Sequence, residues 1–198
     1  MATNQSCQAI ARTYFPSNLA NSTVTCWSSF LPRFVPVVSR SESEWFSRYL
    51  ESAGEPPLFE LLRPGALSPD VIRLTWLRSF HPPIIVRVVG LNSSSAHLIA
   101  KQLSGPGGYG PGVTSRTVER RLTSAETTRL EEIVATARLT TLPGKGCEIG
   151  LDGAEWVIEM VDATGYHFLQ RWSPKRGEVR DVGIALLKLT GWRVDPVY

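Results

Sequence analysis

The chain has 198 residues, of which 42% are hydrophobic and 20% are charged, and its formal net charge is +3. This apolar content excludes a wholly disordered chain, and the length suits one globular domain with or without an extension. No stretch approaches the roughly 18 consecutive apolar residues of a transmembrane helix, so we expect no membrane span.

The charge is unevenly distributed along the chain. Residues 1–40 contain Arg12, Arg33 and Arg40 but no Asp, Glu or Lys, and they carry the whole net charge. We therefore expect a weakly basic N-terminal arm over 1–40 that is poorly ordered or loosely docked. The remaining residues, 41–198, are predicted to form a single α+β domain. Binding to a phosphate backbone needs many Lys or Arg contacts, and the chain has few excess cations, so no nucleic-acid partner is predicted.

The cysteines leave the cellular compartment open. Cys7, Cys26 and Cys147 are too few and too scattered for a disulfide framework. Cys7 and Cys26 could pair in an exported protein, whereas free thiols would suit a reducing compartment. Residues 1–40 lack the continuous apolar segment of a signal peptide, but a chain that begins after signal cleavage would look the same. No CxxC or HxxxH spacing occurs, so no zinc site is predicted.

The first helix is predicted to begin near residue 41. Ser41 and Glu44 have the spacing of a capping box, which satisfies two free amides at a helix start. The apolar side chains that follow share one helical face: Trp45, Phe46, Tyr49 and Leu50. Gly54 ends the helix, and the proline-rich residues 55–69 predict a connector.

The rest of the chain predicts four strands, a helix, a hairpin and a last helix. Alternation with the period of a strand covers residues 71–80, 84–89, 96–103 and 115–122. A second capping box at 123–126 opens a helix, and strands at 154–162 and 165–172 precede a helix at 178–190. The short connections favour antiparallel pairing. We therefore predict an α+β fold: a twisted antiparallel sheet of about six strands (a four-strand meander, a helix, a two-strand hairpin and a helix) with the helices packed on one face.

A glycine-rich segment at 103–112 formally matches a dinucleotide fingerprint. Gly105, Gly107 and Gly110 have the GxGxxG spacing, but Pro111 and a strand-like run follow where the pyrophosphate needs a helix N-terminus. We expect a loop that contacts a partner through Tyr109, and we predict no cofactor.

The last hairpin carries the candidate chemistry. Alternation places Trp156, Ile158 and Met160 in the core with Tyr166, Phe168 and Trp172. A turn of three residues at 163–165 would then put Glu155 and Glu159 on the opposite face with His167 and Arg171.

Two interpretations of this face stay open. The four side chains could form an acid–base or anion-binding site, with a carboxylate holding His167 protonated and Arg171 binding a substrate carboxylate or phosphate. The simpler interpretation is a solvated face with weak ion pairs, because structural charge pairs outnumber catalytic ones. No residue is therefore assigned as catalytic. Asp152 is read as a turn residue, because the spacing supplies no further carboxylates for a metal.

Two segments of this region resemble a known group of sequences. Gly150–Trp156 reads GLDGAEW and Tyr166–Pro174 reads YHFLQRWSP. With Trp76–Pro82 and Ser104–Gly112, the stretch from about 70 to 190 resembles a family of uncharacterised bacterial proteins that share GLDGAxW and YHxxxRWSP segments. The resemblance implies a bacterial source and an independently folded domain. It implies no activity and no catalytic residue.

Three functions are compatible with these features. We predict a non-enzymatic protein-binding module, such as an inhibitor or immunity-type partner, which contacts another protein through Tyr109 and Arg171. The first alternative is a small hydrolase or transferase that uses the Glu155, Glu159, His167 and Arg171 side chains. The second is an envelope-associated accessory protein with a Cys7–Cys26 bridge. The oligomeric state is left open.

Overall fold

The computed structural model describes residues 13–28, 31–62, 70–93 and 95–198. The N-terminal elements are α1 (Asn18–Asn21), β1 (Thr23–Ser28), β2 (Leu31–Pro36), α2 (Arg40–Ser52) and a 3-10 turn at Leu58–Leu61. The central strands are β3 (Val71–Arg78), β4 (Ile84–Val89), β5 (His97–Leu103) and β6 (Thr114–Arg121). The C-terminal elements are α3 (Ser124–Ala137), a 3-10 turn at Leu139–Thr141, β7 (Ala154–Asp162), β8 (Gly165–Trp172) and α4 (Glu178–Leu189).

Strands β3 to β8 form one six-stranded antiparallel sheet in the order β6-β5-β4-β3-β7-β8. This confirms the predicted α+β fold, with the meander on one side of the sheet and the hairpin on the other. Strands β1 and β2 pair as a separate two-stranded sheet. Within the described residues, no helix is long and apolar enough to cross a membrane.

The position of α2 corrects one detail of the prediction. Helices α3 and α4 pack on one face of the sheet, where the core contains Leu74 and Trp76 of β3. Helix α2 packs on the opposite face, with Phe46 and Tyr49 against Leu77. Every residue of β3 is buried, so this strand needs a covering layer on both sides.

The N-terminal cap of α2 also differs from the prediction. Ser39 is the N-cap, and its backbone amide donates to Glu42 Oε2 at 2.8 Å. The predicted box of Ser41 and Glu44 is wrong, because the same spacing two residues earlier makes the cap. Glu44 instead accepts a hydrogen bond from Arg40 Nε on the exposed side of the helix. For α3 the predicted capping box is confirmed.

The described part of the N-terminal segment is docked on the α2 face. Tyr14 and Phe15 are buried, and the Phe15 ring makes edge contacts with Phe46 and Phe168. Cys26 of β1 forms a disulfide with Cys147. Cys26 is therefore neither a free thiol nor the partner of Cys7, which lies outside the described residues.

Candidate functional site

The register of the last hairpin overturns the predicted cluster. Asp162 pairs with Gly165, so the turn contains two residues rather than three. The Thr164 amide and hydroxyl both donate to Asp162 Oδ1, at 2.7 and 2.6 Å, and stabilise this tighter turn. A slip of one residue moves every side chain of β8 to the other face of the sheet.

The predicted site residues are therefore not brought together. Trp172 lies opposite Glu155, Gln170 opposite Val157 and Phe168 opposite Glu159. These side chains therefore share the α2 face of the sheet with the two carboxylates. His167 and Arg171 lie opposite Met160 and Trp156, on the face that α3 and α4 cover. Trp156 is buried in the core as predicted, but Tyr166, Phe168 and Trp172 are on the side away from it.

His167 lies at the end of the hairpin. Its Nε2 atom is 2.8 Å from Thr164 Oγ1 and 3.4 Å from Asp162 Oδ1. Burial would raise the pKa of Asp162, but its hydrogen bonds with Thr164 and the nearby His167 hold that pKa below its usual value. These contacts lie within the turn, so the role of His167 is to stabilise the turn.

Arg171 borders a cleft of about 1150 Å³ between β1, the 143–148 segment and the start of α4. Its guanidinium donates to the carbonyls of Gln170 and Pro143 at 2.8 and 2.9 Å. Burial lowers the pKa of Arg171, and the charges of Glu148 and Glu178 oppose that effect. The side chain is thus occupied in holding the 143–148 segment against β8.

Glu159 forms a buried ion pair across the sheet. Arg73 Nη2 and Nε lie 2.6 and 2.8 Å from Glu159 Oε2, and both side chains are wholly buried. Tyr166 donates its hydroxyl hydrogen to Glu159 Oε1 at 2.9 Å, and burial raises the pKa of Tyr166 well above its usual value. With these partners Glu159 acts as an internal anchor.

Glu55 extends the buried charges toward the end of α2. Its carboxylate contacts Arg87 at 2.7 Å, Lys101 at 2.8 Å and Arg73 at 3.7 Å. Burial would raise the pKa of Glu55, but these three cations hold it below its usual value. The group joins the loop after α2 to strands β3, β4 and β5.

Glu155 differs from the other buried carboxylates because it faces a cavity. Glu155 is 8% exposed and lines a cavity of about 410 Å³. Oε2 of Glu155 has no hydrogen-bond partner among the described residues. Burial raises the pKa of Glu155 to about 7, helped by the charge of Glu42 and opposed by Gln170 and Lys145.

Glu42 is the second carboxylate of this cavity. It accepts hydrogen bonds from Lys145 Nζ and from Gln170 Nε2, the latter at 2.9 Å. Burial would raise the pKa of Glu42, but Lys145, Gln170 and the cap residue Ser39 hold it below its usual value. One carboxylate is therefore ionised while the other holds a proton near neutrality, a combination that suits proton exchange or ligand binding.

Sequence reasoning found Glu155 but not the residues around it. Glu42 looks like an ordinary residue in the first turn of a helix, and Lys145 and Gln170 carry no motif. Reading the turn with two residues would have placed Gln170 on the Glu155 face. The contribution of α2 depends on contacts 103 and 128 residues apart, which no local pattern reveals.

The two segments that carry the family resemblance contact each other directly. A Cβ at Gly150 would clash with the indole nitrogen of Trp172, and one at Gly153 would lie 2.9 Å from Trp172 Cζ2. The Ala154 amide donates to Ser173 Oγ at 2.8 Å. The glycines are therefore needed where the loop before β7 lies against the Trp172 side chain.

The glycine-rich loop is held by α2 and β3. Trp45 Nε1 donates to the Gly107 carbonyl at 3.0 Å, and a Cβ at Gly107 would lie 2.5 Å from the Arg78 carbonyl oxygen. Close packing of backbone thus accounts for this glycine. Tyr109 is 70% exposed and packs beside the exposed Phe80, with ring centroids 6.4 Å apart.

Large apolar side chains are concentrated on two segments that the Cys26–Cys147 disulfide joins. We call them the hairpin surface: Trp27, Leu31 and Phe34 of the β1–β2 hairpin, with Ile149 and Leu151 of the loop before β7. Their exposed fractions are 72, 71, 72, 88 and 95%, respectively. Phe34 lies opposite Thr25 and Trp27 lies opposite Pro32, so both aromatic rings are on one face of the hairpin, whereas Leu31, opposite Ser28, is on the other face with Cys26.

The described residues contain no group of three or more His, Cys, Asp or Glu side chains that could hold a metal ion. Comparison of the chain with protein-family models finds no match, and comparisons with curated proteins and with solved structures find none either. The resemblance to the bacterial family stays a prediction.

Proposed function

We propose that the protein is a non-enzymatic protein-binding module whose interface is the hairpin surface. The observation that carries the proposal is the exposure of its five large apolar side chains, each at least 71% exposed. Large exposed apolar patches mark interaction sites on globular proteins, and tryptophan is the side chain that most often anchors them.

The local structure favours a preformed interface. Val24 on the inner face of the hairpin packs against the α2 core, while Trp27 and Phe34 lie on the outer face. The Cys26–Cys147 disulfide fixes the hairpin to the loop that carries Ile149 and Leu151. A rigid surface loses little conformational entropy when it binds, and this increases affinity.

The charge around the hairpin surface indicates the chemistry of the partner. Within residues 13–40 the only charged side chains are Arg33 and Arg40. The loop half of the surface is acidic instead, because Glu148 and Asp152 flank Ile149 and Leu151. We therefore expect a protein partner with an apolar centre, whose rim is acidic opposite the hairpin and basic opposite the loop. A lipid surface is less favoured, because binding to anionic lipids relies on clusters of Lys and Arg. An inhibitor or immunity-type role fits such a preformed surface.

The predicted contact residues divide between interface and structure. Tyr109 is exposed and packs beside Phe80, and we keep it as a second predicted contact outside the hairpin surface. Arg171 is engaged with carbonyl groups of its own chain and is left out of the interface. The hydrolase or transferase alternative loses its support, because its four residues lie on two faces of the sheet.

The Cys26–Cys147 disulfide indicates the kind of cellular compartment in which the protein works. Disulfides persist in oxidising compartments and are rare in the cytosol. We therefore place the partner outside the cytoplasm, which keeps the accessory role at a bacterial envelope as a setting for the same binding function.

Site-specific photo-cross-linking tests the proposal. A photo-reactive amino acid replaces Phe34 in the full chain, and a control replaces the exposed Thr136 on α3. We expect one saturable protein adduct from position 34 and none from position 136 in cells of the source organism. Unlabelled protein should compete for the adduct, whereas the variant Trp27→Ser with Phe34→Ser should not.

Three outcomes would overturn the proposal. Equal labelling from both positions would show non-specific contact. An adduct of two copies of this chain would replace a foreign partner by self-association. Adducts only with lipid, together with binding to vesicles that contain anionic phospholipid, would identify a membrane surface instead.

A further inference from the structure

We propose that the cavity beside Glu155 binds a primary ammonium group carried on an aliphatic chain. The cavity shares Ile149 and Leu151 with the hairpin surface, but the inference does not rest on a protein binding there. It depends on the charges, the unpaired acceptors and the walls of the cavity.

The charged lining of the cavity has an excess of carboxylates. Glu42, Glu148 and Glu155 line it, and Lys145 is the cation among its lining residues. With all four groups ionised the excess is 3 − 1 = 2 negative charges. Lys145 is already paired with Glu42, so Glu155 is left to attract a cation from outside the chain.

Two oxygen atoms in this wall lack hydrogen-bond donors. Glu155 Oε2 and Gln170 Oε1 are buried without a partner in the part of the chain that the structure describes. A buried acceptor is stabilised by a donor, and an ammonium group brings three N–H donors on one atom. An ammonium group in the cavity would compensate the charge of Glu155, and its pairing with these two buried oxygens requires the side chains to turn toward the cavity.

The walls suit the rest of the ligand. The indoles of Trp45 and Trp172 line the cavity, and aromatic faces attract cations. Ile149 and Leu151 are mostly exposed apolar residues of the same lining, where an aliphatic chain can pack. A metal ion is a poorer candidate, because the described residues contain no cluster of ligands suited to one.

The ligand would replace a proton on Glu155. The charged groups that share the cavity with this carboxyl are Glu42 from α2 and Lys145 and Glu148 from the segment before β7, while the position opposite it on β3 is Leu77. Because burial raises the pKa of Glu155 to about 7, the empty site holds a proton below that pH. Binding of an ammonium group should therefore release a proton at pH 6 and should release little at pH 8.

The experiment uses n-butylammonium as the probe and n-butanol as its neutral match. Calorimetric titration of the full chain should give a dissociation constant on the order of 1–10 mM for the amine and no binding of the alcohol. Affinity should rise about tenfold between pH 6 and pH 8. Buffers of different ionisation heat should show nearly one proton released per ligand at pH 6.

Variants and a second probe complete the test. Glu155→Gln should abolish the pH dependence and weaken binding by about tenfold or more, whereas Glu132→Gln on the exposed side of α3 should change neither. A short peptide, acetyl-Gly-Lys-Gly-amide, separates two sources of the ligand. Tighter binding of the peptide than of butylammonium would favour a lysine side chain of a protein, and the reverse would favour a free amine.

Two results would overturn the proposal. Equal binding of butanol would show an apolar pocket without a role for charge. Amine binding by the unchanged protein without proton release at pH 6 would exclude Glu155 as the acceptor, and this measurement needs no variant to fold.

Discussion

Arg73 and Glu159 lie on adjacent central strands, and Arg73 Nη2 is 2.6 Å from Glu159 Oε2 with both side chains wholly buried. Arg73 Nη1 also donates to the Pro56 carbonyl at 2.7 Å. The pair therefore joins the middle of the sheet to the segment that follows α2. Breaking such a pair leaves an uncompensated charge in the interior.

The first prediction concerns this pair. Glu159→Gln keeps the shape of the side chain but leaves the Arg73 guanidinium without its nearest negative charge. We expect the free energy of unfolding, measured by urea denaturation, to fall by about 3–5 kcal/mol. The control is Glu44→Gln, which removes an ion pair with Arg40 whose side chains are 93 and 65% exposed. That change should cost less than about 1 kcal/mol, and equal losses for the two variants would refute the account.

The Arg73–Glu159 pair also shows why the sequence did not predict that α2 covers the second face of the sheet. Arg73 has the sequence pattern of a solvent-facing residue in an alternating strand, and its partner is 86 residues away. Strand bounds depend on local alternation, so 84–89, 154–162 and 165–172 were predicted as observed. Burial of a charge depends on a distant partner, and no local pattern contains it.

The hairpin turn shows a different limit. Ala163, Thr164 and Gly165 fit a turn of either two or three residues, and the choice moves His167 and Arg171 across the sheet. The hydrogen bonds of Asp162 with Thr164 decide it. A single undetermined turn residue was therefore enough to misplace half of the candidate site.

The second prediction is a pH dependence of stability that is due to Glu155. Its pKa is about 7 in the folded protein and ordinary when unfolded, so the folded state binds more protons between about pH 4.5 and pH 7. The stability that Glu155 contributes is complete below that range and is lost as the pH rises through 7. Glu155→Gln should thus match the parent at pH 4 and exceed it by about 3 kcal/mol at pH 8, by urea denaturation. Equal stability of the two proteins at pH 8 would contradict the prediction.

The third prediction concerns the disulfide. Alkylation of the denatured, unreduced protein followed by peptide mapping should label Cys7 and leave Cys26 linked to Cys147. A Cys7–Cys26 link, or three labelled cysteines, would contradict it.

Removal of the disulfide should also lower the stability of the protein. Cys26→Ser with Cys147→Ser opens a large loop, and the free energy of unfolding should fall by about 2–4 kcal/mol.

The fourth prediction concerns a glycine inside α4. Ala usually stabilises a helix relative to Gly by about 1 kcal/mol, but a Cβ at Gly183 would lie 2.5 Å from Trp156 Cζ3. Overpacking against this buried ring should exceed the helical gain, so Gly183→Ala should lose about 1 kcal/mol or more by thermal and urea unfolding. Gly110→Ala is the control, since nothing lies within 4 Å of the added atom, and it should be nearly neutral. A stabilised Gly183→Ala protein would show that the helix does not lie against Trp156.

The most direct test of the binding proposal is an affinity measurement with the partner that cross-linking identifies. Trp27→Ser with Phe34→Ser should weaken binding by about 100-fold or more while leaving the free energy of unfolding unchanged, because both rings are 72% exposed. Val113→Ser, which removes an apolar side chain that is 69% exposed elsewhere, should have little effect. An affinity within about threefold of the parent protein for the double variant would contradict the account.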